Sequence, residues 1–231
     1  MKQSMNRLVF DFCGATLEAL GSGALHWPAA RTLVVSDLHL GKCARGAATG
    51  GAALPPYDTR ETLARLARDI AATEPERVIC LGDSFDSVAI GAALPSEERA
   101  RIAALQTGRD WIWIEGNHDP GHVGAGGTHL ETWAQAPLAF RHITVPASDA
   151  GEVSGHYHPK ARILLRGRAL SRACFLMDSE RLMLPAYGAY TGGLWTHSAT
   201  LSRLMGPGAE VILCGERPAR LPMPRAEARR A

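Results

Sequence analysis

The sequence predicts an α/β fold with a mostly parallel central sheet, followed by a second half built of strands. Three short apolar runs, residues 31–36, 78–81 and 111–114, each end in a polar cluster, as buried parallel strands do when their carboxyl ends face a site. Apolar residues recur at helical spacing between these runs. Strand–helix–strand–helix–strand implies βαβ crossovers. Beyond about residue 138 the helical periods largely stop, which marks the change to the second half.

The run at 31–36 ends in Asp37, and the Gly/Ala/Pro-rich stretch 46–56 after it reads as a surface loop. Asp58 opens a helix with Glu61 as its capping-box partner, and Leu63, Leu66, Ala67 and Ile70 give it one buried face. Residues 78–81 form the second strand, leading into Gly82-Asp83. Ser96 caps a second helix whose apolar positions are Ile102, Ala103 and Leu105. Residues 111–114 form the third strand, leading into Gly116-Asn117-His118-Asp119. The short segments 161–165, 173–177 and 181–184, separated by turn-like breaks, read as antiparallel strands of a second sheet. Residues 217–231 carry Pro218, Pro222 and Pro224 with five arginines against one glutamate, a loose tail behind a single domain over 1–216.

A chain of 231 residues suffices for one α/β core. With 46% apolar and 21% charged residues it is not a disordered chain, and a net charge of +2 is too small for a nucleic-acid coat protein. No apolar run approaches the roughly 18–20 residues that span a bilayer, and Asp11 and Glu18 interrupt the N-terminal apolar stretch. Cys13, Cys43, Cys80, Cys174 and Cys214 are odd in number and show no Cys-x-x-Cys spacing. That argues against a disulfide framework or a cysteine zinc site, and for a reducing, cytoplasmic compartment without a membrane partner.

The polar clusters carry the chemistry. Asp37-Leu38-His39, Gly82-Asp83-Ser84-Phe85-Asp86 and Gly116-Asn117-His118-Asp119 follow the three strands, and Gly155-His156-Tyr157-His158 comes later. Loops beyond the carboxyl ends of adjacent parallel strands converge on one crevice. Carboxylates, an amide and imidazoles gathered there form a mixed N/O donor set, suited to Mn, Fe or Zn rather than Ca.

In this order the motifs resemble the calcineurin-like metallophosphoesterase superfamily, whose pattern is Asp-x-His, Gly-Asp-x-x-Asp, Gly-Asn-His-Asp/Glu, a lone His and Gly-His-x-His. Here that pattern falls on Asp37/His39, Asp83/Asp86, Asn117/His118/Asp119, His142 and His156/His158, across residues 37–158. Within it the chain resembles the bacterial ligase-associated DNA-damage-response metallophosphoesterases, described as endonucleases. The features shared with these are His26-Trp27-Pro28, Ser36 to Lys42, Asn117 to Pro120, Gly155 to Pro159 and Pro185 to Gly193. One departure is that Ile143-Thr144 follow His142 where Glu-Pro is the usual continuation.

The resemblance implies a four-layer α/β/β/α sandwich with two mixed sheets and two divalent metal ions, Mn²⁺ foremost with Fe or Zn as alternatives. Asp83 would bridge them. Asp37, His39 and His158 would hold one ion, and Asn117, His142 and His156 the other. His118 would serve as general acid with Asp119 orienting it, and Asp86 would support a ligand imidazole. The implied function is phosphodiester hydrolysis as a DNA endonuclease in repair, linked to a DNA ligase and helicase. A small-nucleotide phosphodiesterase or phosphatase is the enzymatic alternative. A non-catalytic protein-binding scaffold is the other, and retention of His118 argues against it.

Outside the motifs, residues 160–172 hold Lys160, Arg162, Arg166, Arg168 and Arg172 without an acidic residue. Strand alternation would put Lys160, Arg162, Arg166 and Arg168 on one face, either solvated or tracking a nucleic-acid backbone. Lys42 and Arg45, just past the first motif, are candidates for a substrate phosphate. His122 and His129 sit in the Gly-rich loop after the third motif, as solvated loop residues or substrate contacts. His26 and His197 read as packing or surface residues.

Overall fold

The computed structural model describes residues 6–42, 57–122, 124–145, 150–165 and 167–225. The expected loop at 46–56, Arg45 and Arg166 lie outside the described residues.

The first sheet has the order β1 (Arg7–Phe12), β2 (Ala15–Leu20), β3 (Leu25–Trp27), β4 (Thr32–Val35), β5 (Arg77–Leu81), β6 (Asp110–Ile114) and β7 (Thr128–Leu130). From β4 to β7 the strands are parallel, and β1 to β4 are antiparallel. The strands at its centre are buried on both faces, which is why they read as unbroken apolar runs. Helix α1 (Asp58–Thr73) crosses from β4 to β5, and α2 (Val88–Ala92) and α3 (Ser96–Gln106) cross from β5 to β6. Because β4, β5 and β6 are laid down in one direction, right-handed crossovers put these helices on the same face. The N-terminal hairpin was not anticipated; it turns on Cys13 and Gly14, both left-handed at φ 48° and 84°.

The second sheet has the order β15 (Ala219–Pro222), β14 (Glu210–Leu213), β12 (Arg168–Met177), β13 (Arg181–Met183), β10 (Glu152–Ser154), β9 (Leu138–Arg141) and β8 (Thr132–Gln135), with β11 (Lys160–Leu165) paired to β12. It is mixed rather than antiparallel throughout, since β10 runs parallel to both neighbours, β9 and β13. Helix α4 (Ala199–Leu204) precedes β14.

Three apolar clusters define four layers. Leu33, Val35, Leu63, Leu66, Ile102 and Trp113 pack the helices onto the first sheet. Leu17, Ile79, Ile112, Phe140, Val153 and Phe175 fill the space between the sheets. Cys174, Leu176, Leu201, Met205 and Val211 lie between the second sheet and α4. The protein is thus an α/β/β/α sandwich with few helices.

Several local expectations are corrected. Tyr57, not Asp58, is the N-cap of α1, and Asp58 and Glu61 instead place negative charge in its first turn, where the helix dipole favours it. Likewise Pro95 precedes α3, so Ser96 is its first residue rather than its cap, and of its apolar positions Ile102 is buried while Ala103 is exposed. The short α2, capped by Ser87, was not foreseen. The tail expected over 217–231 is structured in its first half: β15 takes up the edge of β14, Arg220 pairs with Glu210, and Met223 is buried. Pro222 is compatible with this because it ends an edge strand.

Candidate metal centre

The first sheet brings three loops together through backbone pairing that continues past the strand ends. Asp37 N–H donates to Gly82 O (3.2 Å), His39 N–H to Asp83 O (2.9 Å), Leu40 N–H to Ser84 O (2.9 Å) and Asp86 N–H to Leu40 O (3.1 Å). The loops after β4 and β5 are therefore laced together residue by residue. The loop after β6 joins them through Asp83 Oδ1, which accepts from His118 N–H at 2.8 Å. Gly116 is required here, since a Cβ would run into Asp83. Asp37, His39, Asp83, His156 and His158 all have left-handed backbone, with φ between 43° and 67°. Non-glycine residues hold such conformations only where their surroundings impose them, and such residues cluster at functional sites.

The second sheet supplies three imidazoles. His142 follows β9, and its Nδ1 donates to Leu81 O at 2.8 Å. This leaves Nε2 facing Asn117 Oδ1 (3.1 Å), His156 Nδ1 (3.3 Å) and Asp83 Oδ2 (3.4 Å). His156 and His158 follow β10, whose continuation is tied back by Gly155 N–H to His142 O at 2.9 Å. The sequence reading missed two supports. Glu152, 1% exposed on β10, holds both flanks of His142: Arg141 Nε lies 3.3 Å from its carboxylate, the Thr144 hydroxyl donates to it, and Val145 N–H donates at 3.4 Å. The other is Tyr187. Its N–H donates to Ser36 O (2.8 Å) and its hydroxyl to Asp69 on α1 (2.8 Å), while Gly188 N–H donates to Asp37 O (3.0 Å). The Pro185 to Gly193 segment thus braces the first loop. Glu152 carries no local signal, because its partners come from a neighbouring strand and its flanking loop, whereas Tyr187 lies in the Pro185 to Gly193 segment marked by the resemblance, which gave it no role.

Among the described residues three sets of side chains could each hold a cation: Asp37, His39 and His158; Asp83, His142 and His156; and His39, Asp86 and His118. Asp37 Oδ1 and His158 Nε2 are buried and face each other at 2.8 Å. Both ring nitrogens of His39 are also buried without a hydrogen bond. Buried polar atoms left in this state are costly unless a cation takes their lone pairs. The donor set of carboxylates, imidazoles and an amide fits borderline divalent ions.

The electrostatics are arranged for charge. Burial opposes ionisation of Asp83, but the His142 imidazole and the His118 N–H outweigh it and hold the carboxyl at about 2. Asp37 is lowered in the same way, against burial, by His158, His142 and Ser36. Burial lowers His39 to about 4 despite the pull of Asp37 and Asp83, which keeps its imidazole neutral as a ligand must be.

The other candidates are placed as follows. His118 lies at the opening of the cleft, its side chain 32% exposed, with Nε2 4.0 Å from Asp83 Oδ2. Asp119 was expected to orient its ring, but the Asp119 oxygens accept from the N–H groups of Phe85 (3.0 Å) and Gly116 (3.1 Å). The His118 ring is held through Nδ1 by the Asp86 carbonyl at 3.1 Å. Burial raises the Asp119 carboxyl to about 6. Asp119 therefore joins the second and third loops. The Asp86 carboxylate stands 3.4 Å from His39 Nδ1. Lys42 N–H donates to His39 O at 3.2 Å, so this lysine borders the site.

The basic stripe is not one strand face. β11 and β12 form a hairpin, and cross-strand partners share a face. Arg168, opposite Leu165, lies on the face away from Lys160 and Arg162. The ammonium of Lys160 rests over Trp195 at 4.9 Å. His26 is outside the site, bonded to Glu18 at 2.8 Å, and His197 stacks on Trp195.

The profile of the calcineurin-like phosphoesterase family matches residues 30–215. Among curated proteins none matches. A crystal structure of the nuclease MPE of Pseudomonas putida is similar, with 30% identity over 93% of this chain and 100% of that chain and a TM-score of 0.71. The profile takes in β4 to β14 and every loop that lines the cleft, and the likeness to a solved structure extends over nearly the whole sandwich. The chain belongs to the calcineurin-like phosphoesterase family.

Proposed function

We propose that this protein is a metal-dependent phosphodiesterase that cuts a nucleic-acid backbone, a DNA endonuclease with a role in repair beside a ligase and a helicase. The observation that carries the reading is the convergence of Asp37, His39 and His158 with Asn117, His142 and His156 around one ionised carboxylate, Asp83. These donors would suit two divalent ions, Mn²⁺ foremost, and the Asp83 carboxylate would offset their charge. When bound, such a pair supplies a water of lowered pKa and a clamp on the phosphoryl oxygens. The similarity to a nuclease supports a nucleic-acid substrate.

The chain's own groups do the rest. His118 donates a proton from Nε2 to the departing oxygen, its Nδ1 fixed on the Asp86 carbonyl so that the ring cannot swing away. Asp119 keeps the loops bearing Asp83 and His118 at constant separation. Lys42, beside His39, would meet a substrate phosphate, and Lys160 and Arg162, on one face of β11, a neighbouring one. The division of the basic residues between two faces favours, as a second reading, a small-nucleotide phosphodiesterase.

The deciding experiment incubates purified protein and Mn²⁺ with circular single-stranded DNA, cyclic nucleotides and a nitrophenyl phosphodiester. Linearised circles that His118→Asn does not produce are the expected result. Turnover of cyclic nucleotides with intact circles would establish the second reading, and no turnover of any substrate would leave a binding scaffold.

A further inference from the structure

The loop that begins at His118 ends in an ordered pair of imidazoles that the reading above leaves unused. His122 is exposed, yet it stacks on His129 with ring centroids 4.2 Å apart and planes 28° from parallel. His129 in turn tilts against Trp113, with centroids 6.3 Å apart and planes at 30°. Trp113 is 3% exposed in the core and tilts against Phe85 at 5.4 Å, within the second metal motif. Four rings in series therefore run from the buried Phe85 to the exposed His122.

Gly124, Ala125 and Gly126 are tied in place beside the rings. Trp113 Nε1 donates to Gly126 O and Gln106 Nε2 to Ala125 O, both at 2.8 Å. Gly124 N–H donates to His122 Nδ1 at 2.9 Å. This hydrogen bond fixes the exposed ring, a flat aromatic, in one orientation. A solvated loop histidine has no need of such fixing, because an exposed ring gains its hydration in any rotamer. A flat π face whose ordering entropy is spent before binding is what an unpaired nucleobase stacks on. His122 lies four residues along the chain from His118, in the segment that leaves the third motif.

We infer that His122, backed by His129 and Trp113, is a stacking platform for one unpaired nucleobase of a single-stranded substrate. The inference rests on the nucleic-acid reading above and specifies it: the platform recognises base faces without regard to sequence and has no role for a small ester.

The test uses a single-stranded oligonucleotide carrying 2-aminopurine, mixed with the Mn²⁺-loaded protein. Quenching is read before cleavage, and KM and kcat are measured alongside turnover of an alkyl nitrophenyl phosphodiester. His122→Ala is expected to lose most of the quenching and to raise KM for the oligonucleotide about tenfold. Its kcat and its small-diester turnover stay at the wild-type level, and His122→Phe restores both quenching and KM. Wild-type quenching and KM in His122→Ala would overturn the platform. So would a loss that Phe does not repair, since the hydrogen bond to Gly124 rather than the π face would then be what matters. Wild-type protein that turns over the small diester but neither quenches nor cleaves the oligonucleotide would overturn the nucleic-acid reading itself.

Discussion

The two sheets contribute to one cleft by different means. On the first-sheet side, Asp37, His39 and Asp83 sit on loops locked by main-chain hydrogen bonds that continue the pairing of β4 and β5. On the second-sheet side, the strands leading to the histidines have three or four residues, and a side chain holds them: Glu152 grips Arg141, Thr144 and Val145 around His142. Main-chain locking tolerates many side-chain changes, whereas a buried carboxylate with three partners does not. The loops after β4 and β5 thus depend little on side chains other than their ligands, and the loop bearing His142 depends on one residue that touches no ligand directly.

The largest effect is expected where the halves meet. Asp83→Ala removes the carboxylate that faces both donor sets, so elemental analysis after Mn²⁺ loading should find the content falling from about two ions per chain towards none. Turnover should fall by more than about a thousandfold. Full metal content in this variant would mean that the halves do not share a centre. Next in size, His118→Asn should keep both ions and lose about 10²–10⁴ in rate on an alkoxide leaving group, with a much smaller loss on nitrophenolate, which leaves unprotonated. Equal losses on the two substrates would make His118 a positioning group.

Glu152→Ala separates the halves most cleanly. It should cost about 1–3 kcal/mol of folding stability by stranding the Thr144 hydroxyl and the Arg141 guanidinium, discounted because the Arg141 side chain is 29% exposed. Affinity for one of the two ions should weaken about 10–100-fold while the other holds, so calorimetric titration should resolve two classes of site. Equal weakening of both would contradict the division into halves. The smallest effect concerns the basic hairpin. Lys160→Ala and Arg162→Ala should each lower the salt slope of DNA binding by about one unit, whereas Arg168→Ala, on the other face, should leave it unchanged.

How much of this is legible in the sequence follows the same division. The three apolar runs ending at Asp37, Asp83 and Asn117 can be read directly, because burial on both faces leaves an unbroken hydrophobic signature and the chemistry follows each run. Five residues of α2 are too few to show a period, and β15 is masked by prolines that an edge strand tolerates. The basic residues were misread because alternation was carried through the turn at Gly167, which reverses the chain and sends Arg168 to the other face. Asp119 looked like a partner for the adjacent His118, but its oxygens reach backbone groups that only the fold brings near. Glu152 has no local mark at all, since its meaning comes from the parallel register of β10 on β9.

Anomalous diffraction from Mn²⁺-loaded crystals tests whether the two sheets build one two-metal centre around Asp83. Two peaks about 3.5–4 Å apart, with the Asp83 carboxylate between them, are expected. One should lie against Asp37, His39 and His158, the other against Asn117, His142 and His156. A single peak, or a second one displaced to His39, Asp86 and His118, would contradict it.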